Sequence, residues 1–152
     1  MNRLTLEDAL MVCASMRERD RRCVRAALGE VSYDVFAVNR WQTDGPAWSL
    51  HQDGAPVAIF GLSFQNDWVA TAWLVATPQC SLNSWGKLLR FAKTVRNQAM
   101  GPGPFHKGRI EAQVLVGWSD ASRFAGCLGF VLEGIKRRAG SGGEDFEIWA
   151  VT

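Results

Sequence analysis

The side chains able to do chemistry in this sequence are few and scattered. His51 and His106 are the only histidines, and Cys13, Cys23, Cys80 and Cys127 form no Cys-x-x-Cys pair, so neither a zinc site nor a redox dithiol has the ligand spacing it needs. The four thiols read as buried and reduced. The segment Arg17 to Arg25, RERDRRCVR, holds five arginines interrupted by Glu18 and Asp20. Mixed signs at helical spacing describe a solvated, salt-bridged face better than a phosphate-binding patch, so nucleic acid is not an expected partner.

These residues must be positioned by a single domain. With 152 residues, 47% of them hydrophobic, the chain can bury about two thirds of its unfolded surface in one core, and residues 1–152 read as one domain. A formal net charge of +2 gives no strong field toward nucleic acid or membrane. Charges interrupt the first apolar run, and nowhere do 18 apolar residues follow one another, so neither a signal peptide nor a membrane span is expected.

Thr5 with Asp8 three residues on is a capping-box-like start, predicting a very short strand at Asn2 to Leu4 and a helix from Leu6 to about Met16. A second helical piece carries Cys23, Val24, Ala27 and Leu28 before Gly29. Glu30 to Pro46 has no clean period and reads as a packed connection. From Ala47 the period is two: AWSLHQ, APVAIFGLSF and WVATAWLVA, joined at Asp53-Gly54 and Asn66-Asp67, predict three antiparallel strands with Trp68 and Trp73 packing on the sheet. Asn83 or Ser84 then caps a helix ending at Gly101. RIEAQVLVG is a strand, Ser119 caps a helix to Leu128, and FVLEGIKRR and DFEIWAVT form a closing hairpin. The order β-α-α-β-β-β-α-β-α-β-β predicts an α+β domain: a mixed, mostly antiparallel sheet of six to seven strands with helices on both faces.

That order resembles the GNAT fold of acyl-CoA-dependent N-acyltransferases over nearly the whole chain. RLTLEDA resembles the fold's frequent opening, and Leu128-Gly129-Phe130 with Gly134 resembles its penultimate turn. A closer likeness is to the internal virion protein A family of short-tailed bacteriophages. It is carried by Trp48-Ser49-Leu50, Gly54, Pro56, Ala58-Ile59, Ser84, Gly86-Lys87, Val116-Gly117, Arg123-Phe124, Gly129, Asp145-Phe146 and Ile148.

The acyltransferase resemblance implies a pyrophosphate cradle of Gln or Arg, two residues, then Gly-x-Gly or Gly-x-Ala. Here its best registration is Asn83-Ser84-Trp85-Gly86-Lys87-Leu88, with one glycine kept and Trp85 crowding the loop. It also implies a base and a tyrosine. The strand Trp68 to Ala76 carries no carboxylate, the tyrosine position falls on Ala125, and the asparagine that often opens that helix falls on Trp118. The main expectation is accordingly a non-catalytic phage protein with no catalytic residue and no cofactor. It would work through contacts with other virion or assembly proteins, in the host cytoplasm and then the virion, using Arg17 to Arg25, Tyr33 to Trp41 and Trp85. The alternative is an acetyl-CoA-dependent N-acetyltransferase, with Asn83, Ser84, Trp85, Gly86 and Lys87 at the cofactor and Glu111 as substitute base.

Overall fold

The computed structural model describes residues 1–152 and contains seven strands and five helices. They run β1 (Asn2–Arg3), α1 (Leu6–Ala14), α2 (Glu18–Leu28), α3 (Tyr33–Trp41), β2 (Ala47–Gln52), β3 (Ala55–Phe64), β4 (Val69–Ala76), α4 (Leu82–Met100), β5 (Arg109–Leu115), α5 (Ser119–Cys127), β6 (Val131–Lys136) and β7 (Phe146–Val151). One sheet takes the order β1-β2-β3-β4-β5-β7-β6, and every pair in it is antiparallel except β4 with β5. The expected α+β architecture is present, with one more helix than the sequence pattern announces. No helix is long and apolar enough to cross a membrane.

The meander follows its turn chemistry. Asp53 and Gly54 both adopt positive φ, 53° and 83°, as a tight primed turn between two twisted strands requires. Along β3, successive side chains serve opposite faces: Ile59 joins Val12, Cys13, Met16 and Phe36 under α1 and α3, while Phe60 and Leu62 lie under α4. Trp73 packs toward α1 and α3, as expected of a sheet residue. Trp68 does not. It precedes β4, is 61% exposed, and stacks edge-on with His106, its ring centroid 5.6 Å away.

The segment read as an irregular connection contains α3. Ser32 caps it, its Oγ accepting from the Val35 N–H at 3.2 Å, and Phe36 and Ala37 turn inward against α1. Tyr33, Val35, Phe36, Val38 and Trp41 are β-branched or aromatic, so local propensity argues for a strand and only packing on α1 makes the helix. The start of α4 also moves: Ser81, not Asn83 or Ser84, is the cap, its Oγ accepting from the Ser84 N–H at 3.2 Å. Likewise Ser119 is the first residue of α5, and Trp118 occupies the cap position without a side-chain bond.

At its far end α5 stops as Leu128-Gly129-Phe130 predicts. Gly129 takes φ 86°, its N–H bonds the Gly126 carbonyl at 2.9 Å, and the Phe130 N–H bonds the Ala125 carbonyl at 3.1 Å. That paired closure is a Schellman stop, and it buries Phe130 beneath α4 and α5.

If Ser32 is what starts α3, replacing it with alanine removes one acceptor from an otherwise orphaned helix end. Ser32→Ala is expected to lower stability by about 1 kcal/mol in urea unfolding. An unchanged midpoint would show that packing on α1 suffices.

Candidate functional site

The pairing of β4 with β5 is parallel and short: Val69 opposite Arg109, Ala70 opposite Ile110, Thr71 opposite Glu111, and nothing beyond. The two strands then diverge. On its other edge β4 stays bonded to β3 up to Thr77, whose N–H donates to the Val57 carbonyl at 2.9 Å. Antiparallel alternation makes the odd-numbered residues of β4 face β3, so Leu74 directs its backbone N–H and carbonyl into the gap. The gap opens into a cleft of about 670 Å³. Its lining is largely apolar and comes from both sides of the sheet: β2 to β5, α4 from Leu82 to Arg96, α5, and three residues of α2 and the turn before it.

Those last three, Arg17, Asp20 and Cys23, close the front of the gap. The Arg17 N–H donates to the Ala76 carbonyl at 2.9 Å, and the Ala76 N–H reaches the Asp20 carboxylate. Cys23 lies against the Leu115 backbone on the opposite strand. The Ala76 carbonyl, which β5 does not reach, is thus met from the turn before α2. Arg17 continues through the gap. Its Nε donates to Asp20 Oδ2 at 2.5 Å, and its guanidinium carbon lies 4.8 Å from the Trp85 ring centroid and 5.5 Å from that of Trp118.

Asp20 is 2% exposed. Burial raises its carboxyl above the usual carboxylate range, and the hydrogen bond and charge of Arg17 offset only part of that. Burial pushes the Cys23 thiol up to about 11, so it stays protonated and is no nucleophile at neutral pH. Cys13 is pushed up to about 12 by burial, and Cys80 is raised as well. All four cysteines are free, but only Cys13 is fully buried; Cys127 is exposed on α5 at the edge of the cleft. No group of three or more histidine, cysteine or acidic side chains lies close enough to hold a metal ion.

The predicted site residues separate in space. Trp85 and Gly86 line the cleft, as do Trp118 and Ala125. Asn83 to Lys87 are the first turns of a helix rather than a loop: Asn83 and Lys87 face solvent, and buried Ser84 donates to Gln52 Oε1 at 2.8 Å. The space over Gly86 is open, since a Cβ there would meet nothing nearer than Arg90 Nη1 at 3.8 Å. Glu111 is not in the cleft. It accepts from Arg109 Nε at 3.1 Å, and the same guanidinium grips both oxygens of Glu133, at 2.9 and 2.5 Å. A carboxylate so paired on the far face of β5 cannot serve as the base. Tyr33, the only tyrosine, lies on α3 under the Arg21 guanidinium at 5.6 Å.

The sequence reading missed Arg17, Asp20 and Cys23 as a unit. Their signal is spacing: residues 17, 20, 23 and 24 share one helical face, so the apolar stripe of α2 carries an arginine and a carboxylate. A charged pair on an apolar stripe marks a buried ion pair rather than a solvated face.

A sheet splayed between its only parallel strands, with an apolar cleft running through it, defines an acyltransferase-like fold. No protein-family model matches the chain, and no curated protein matches it. Solved structures do. The ribosomal-protein-S18-alanine N-acetyltransferase of Escherichia coli superposes with a TM-score of 0.68 at 19% identity, covering 99% of this chain and 90% of that one. A GNAT-family acetyltransferase from Bacillus anthracis gives 0.71 at 14% identity, covering 99% and 92%. The yncA protein of Salmonella typhimurium, solved with its cofactor acetyl-CoA, gives 0.69 at 14%, covering 99% and 91%. The chain therefore has the GNAT acetyltransferase fold.

The raised Asp20 pKa sets a sign. Between the ordinary value of 3.8 and the higher folded value, the folded protein holds a proton that the unfolded chain releases, so this group's contribution to stability falls as pH rises through that window. The melting temperature of Asp20→Asn relative to wild type is thus expected to be more favourable at pH 7 than at pH 3.5. The opposite trend would mean that the Arg17 ion pair outweighs the desolvation of Asp20.

Proposed function

We propose that the chain is an N-acyltransferase that takes an acyl-CoA into the splayed cleft and transfers the acyl group to an amine. The observation that carries this reading is the cleft itself, about 670 Å³ of mainly apolar lining with the open backbone edge of Leu74 along it. A pantetheine arm is narrow and carries amides, so it can satisfy such an edge as an added strand would. The open space over Gly86 accommodates close approach of a ligand at the start of α4. The solved neighbours, several of them named N-acetyltransferases and one holding acetyl-CoA, support the same reading.

A bound acyl-CoA supplies a thioester; attack by a neutral amine forms the amide bond and releases the thiol. The rest falls to this chain's residues. The amine must lose a proton; of the two carboxylates lining the cleft, Asp20 is engaged with Arg17 and Asp120 is exposed, so the proton leaves through water. No phenol lines the cleft, and Ala125 offers no proton where the fold resemblance places a tyrosine, so the departing sulfur takes its proton from water.

A second reading is favoured by β6. All six of its residues are exposed at the sheet edge, among them Val131 at 67%, Leu132 at 45% and Ile135 at 45%. Such a strand suits protein contacts, the mode in which a virion or assembly protein of a short-tailed phage would work. Its test is physical: phage particles purified from infected cells contain the chain under this reading and lack it otherwise.

For the acyltransferase reading, calorimetry is expected to show micromolar binding of acetyl-CoA and of free CoA. Gly86→Glu should abolish that binding, and Glu111→Gln should leave both binding and transfer rate unchanged. A wild-type chain that binds neither compound sinks the reading.

A further inference from the structure

Arg17 is held in an arrangement that packing alone does not require. The turn carrying it is tied to the end of β4, its Nε is bonded to Asp20 at 2.5 Å, and its guanidinium lies between the rings of Trp85 and Trp118. Trp85 belongs to the first turn of α4 and Trp118 to the turn before α5, so the arginine spans the mouth of the cleft from the opposite side of the sheet. What these contacts leave free is informative. Nη1 and Nη2 make no hydrogen bond to the protein, although the side chain is only 28% exposed and lines the cleft. The result is a fork of N–H donors held against two indoles in the lining of the cleft.

The other arginines lining the cleft differ. Arg96 spends Nη1 on the Leu128 carbonyl and Nε on Asn97 Oδ1. Arg123, on α5, makes neither a hydrogen bond nor an ion pair and lines the same cleft. The two carboxylates there are Asp20, engaged with Arg17, and Asp120, exposed at the start of α5. The mouth thus presents two guanidinium groups with unengaged donors, while α4 contains no acidic residue to answer them.

We infer that Arg17 is the residue that fixes the phosphate-bearing end of the ligand at the cleft mouth. It thereby takes the place of the Gln or Arg that the sequence lacks ahead of Gly86. The inference rests on the acyl-CoA reading. A planar guanidinium matches two oxygens of a phosphate in a bidentate pair, which an ammonium cannot do, and the flanking indoles hold that plane while Asp20 holds its edge. Arg123 is close enough in the same lining to add charge, but its side chain is not preset. The ligand class is therefore a thioester or thiol whose far end carries a pyrophosphate, as distinct from a pantetheine without phosphates.

The experiment compares CoA with pantetheine by calorimetry on wild type, Arg17→Lys and the double variant Arg17→Gln/Asp20→Asn. The double variant avoids leaving Asp20 buried and unpaired, and thermal melting confirms that it folds. Losing a bidentate pair is expected to weaken CoA binding at least about tenfold in both variants, and losing the cation to flatten its salt dependence in the double variant, while pantetheine binding stays as in wild type. If wild type binds CoA and the folded variants bind it as tightly or more tightly, Arg17 is a plug rather than an anchor. The inference then fails alone. If wild type binds no CoA, it fails together with the acyl-CoA reading.

Discussion

The constraint on which this molecule turns is that two adjacent strands stop pairing. β4 and β5 share three residues of parallel ladder and then separate, which leaves backbone donors and acceptors in the middle of a sheet without partners. A buried unmet backbone group costs about 1–3 kcal/mol, so a splay of this kind must be met from somewhere. The chain meets one end with α2: the Ala76 carbonyl takes the Arg17 N–H, the Ala76 N–H faces Asp20, and Leu115 faces Cys23. The middle, around Leu74, is left to solvent or ligand. That division explains why α2 lies where it does and why the cleft is open where it is.

Most of the frame was legible because it is encoded locally. Asp53-Gly54 demands a primed turn, the strands of the meander alternate cleanly, and Leu128-Gly129-Phe130 spells a left-handed helix stop that the structure builds residue for residue. What was not legible depends on distant contact. Tyr33 to Trp41 has the composition of a strand and becomes α3 only because Phe36 and Ala37 find α1. The start of α4 was misplaced because Ser81, Asn83 and Ser84 are all good caps, and the choice falls to Gln52 on β2, whose Oε1 accepts from both the Ser81 N–H and the Ser84 hydroxyl.

The site shows the same limit more sharply. Trp85, Gly86, Trp118 and Ala125 were singled out by the fold resemblance alone, and all four line the cleft. Glu111 was chosen as a substitute on the following strand because β4 carries no carboxylate, but strand position does not reveal face, and its partner Arg109 holds it on the other side. Arg17 and Asp20 read as part of a solvated charge run because nothing local says that α2 lies over a gap in a sheet.

Against the pattern the fold resemblance implies, Ala125 is smaller and Trp85 and Trp118 are larger, and both indoles lie against a charged group. Placing Arg17 and Asp20 there takes two charges out of water. An ion pair in such a position is generally no more stabilising than apolar side chains of the same volume. A chain that needed only the scaffold could have filled the gap with leucine and methionine and gained stability. Instead it keeps a carboxylate raised by burial and a guanidinium whose outer nitrogens bond to nothing in the protein. Under the acyl-CoA reading proposed above, that arrangement answers a ligand: an anion for the fork, and for the cleft behind it a chain thin enough to pair with Leu74.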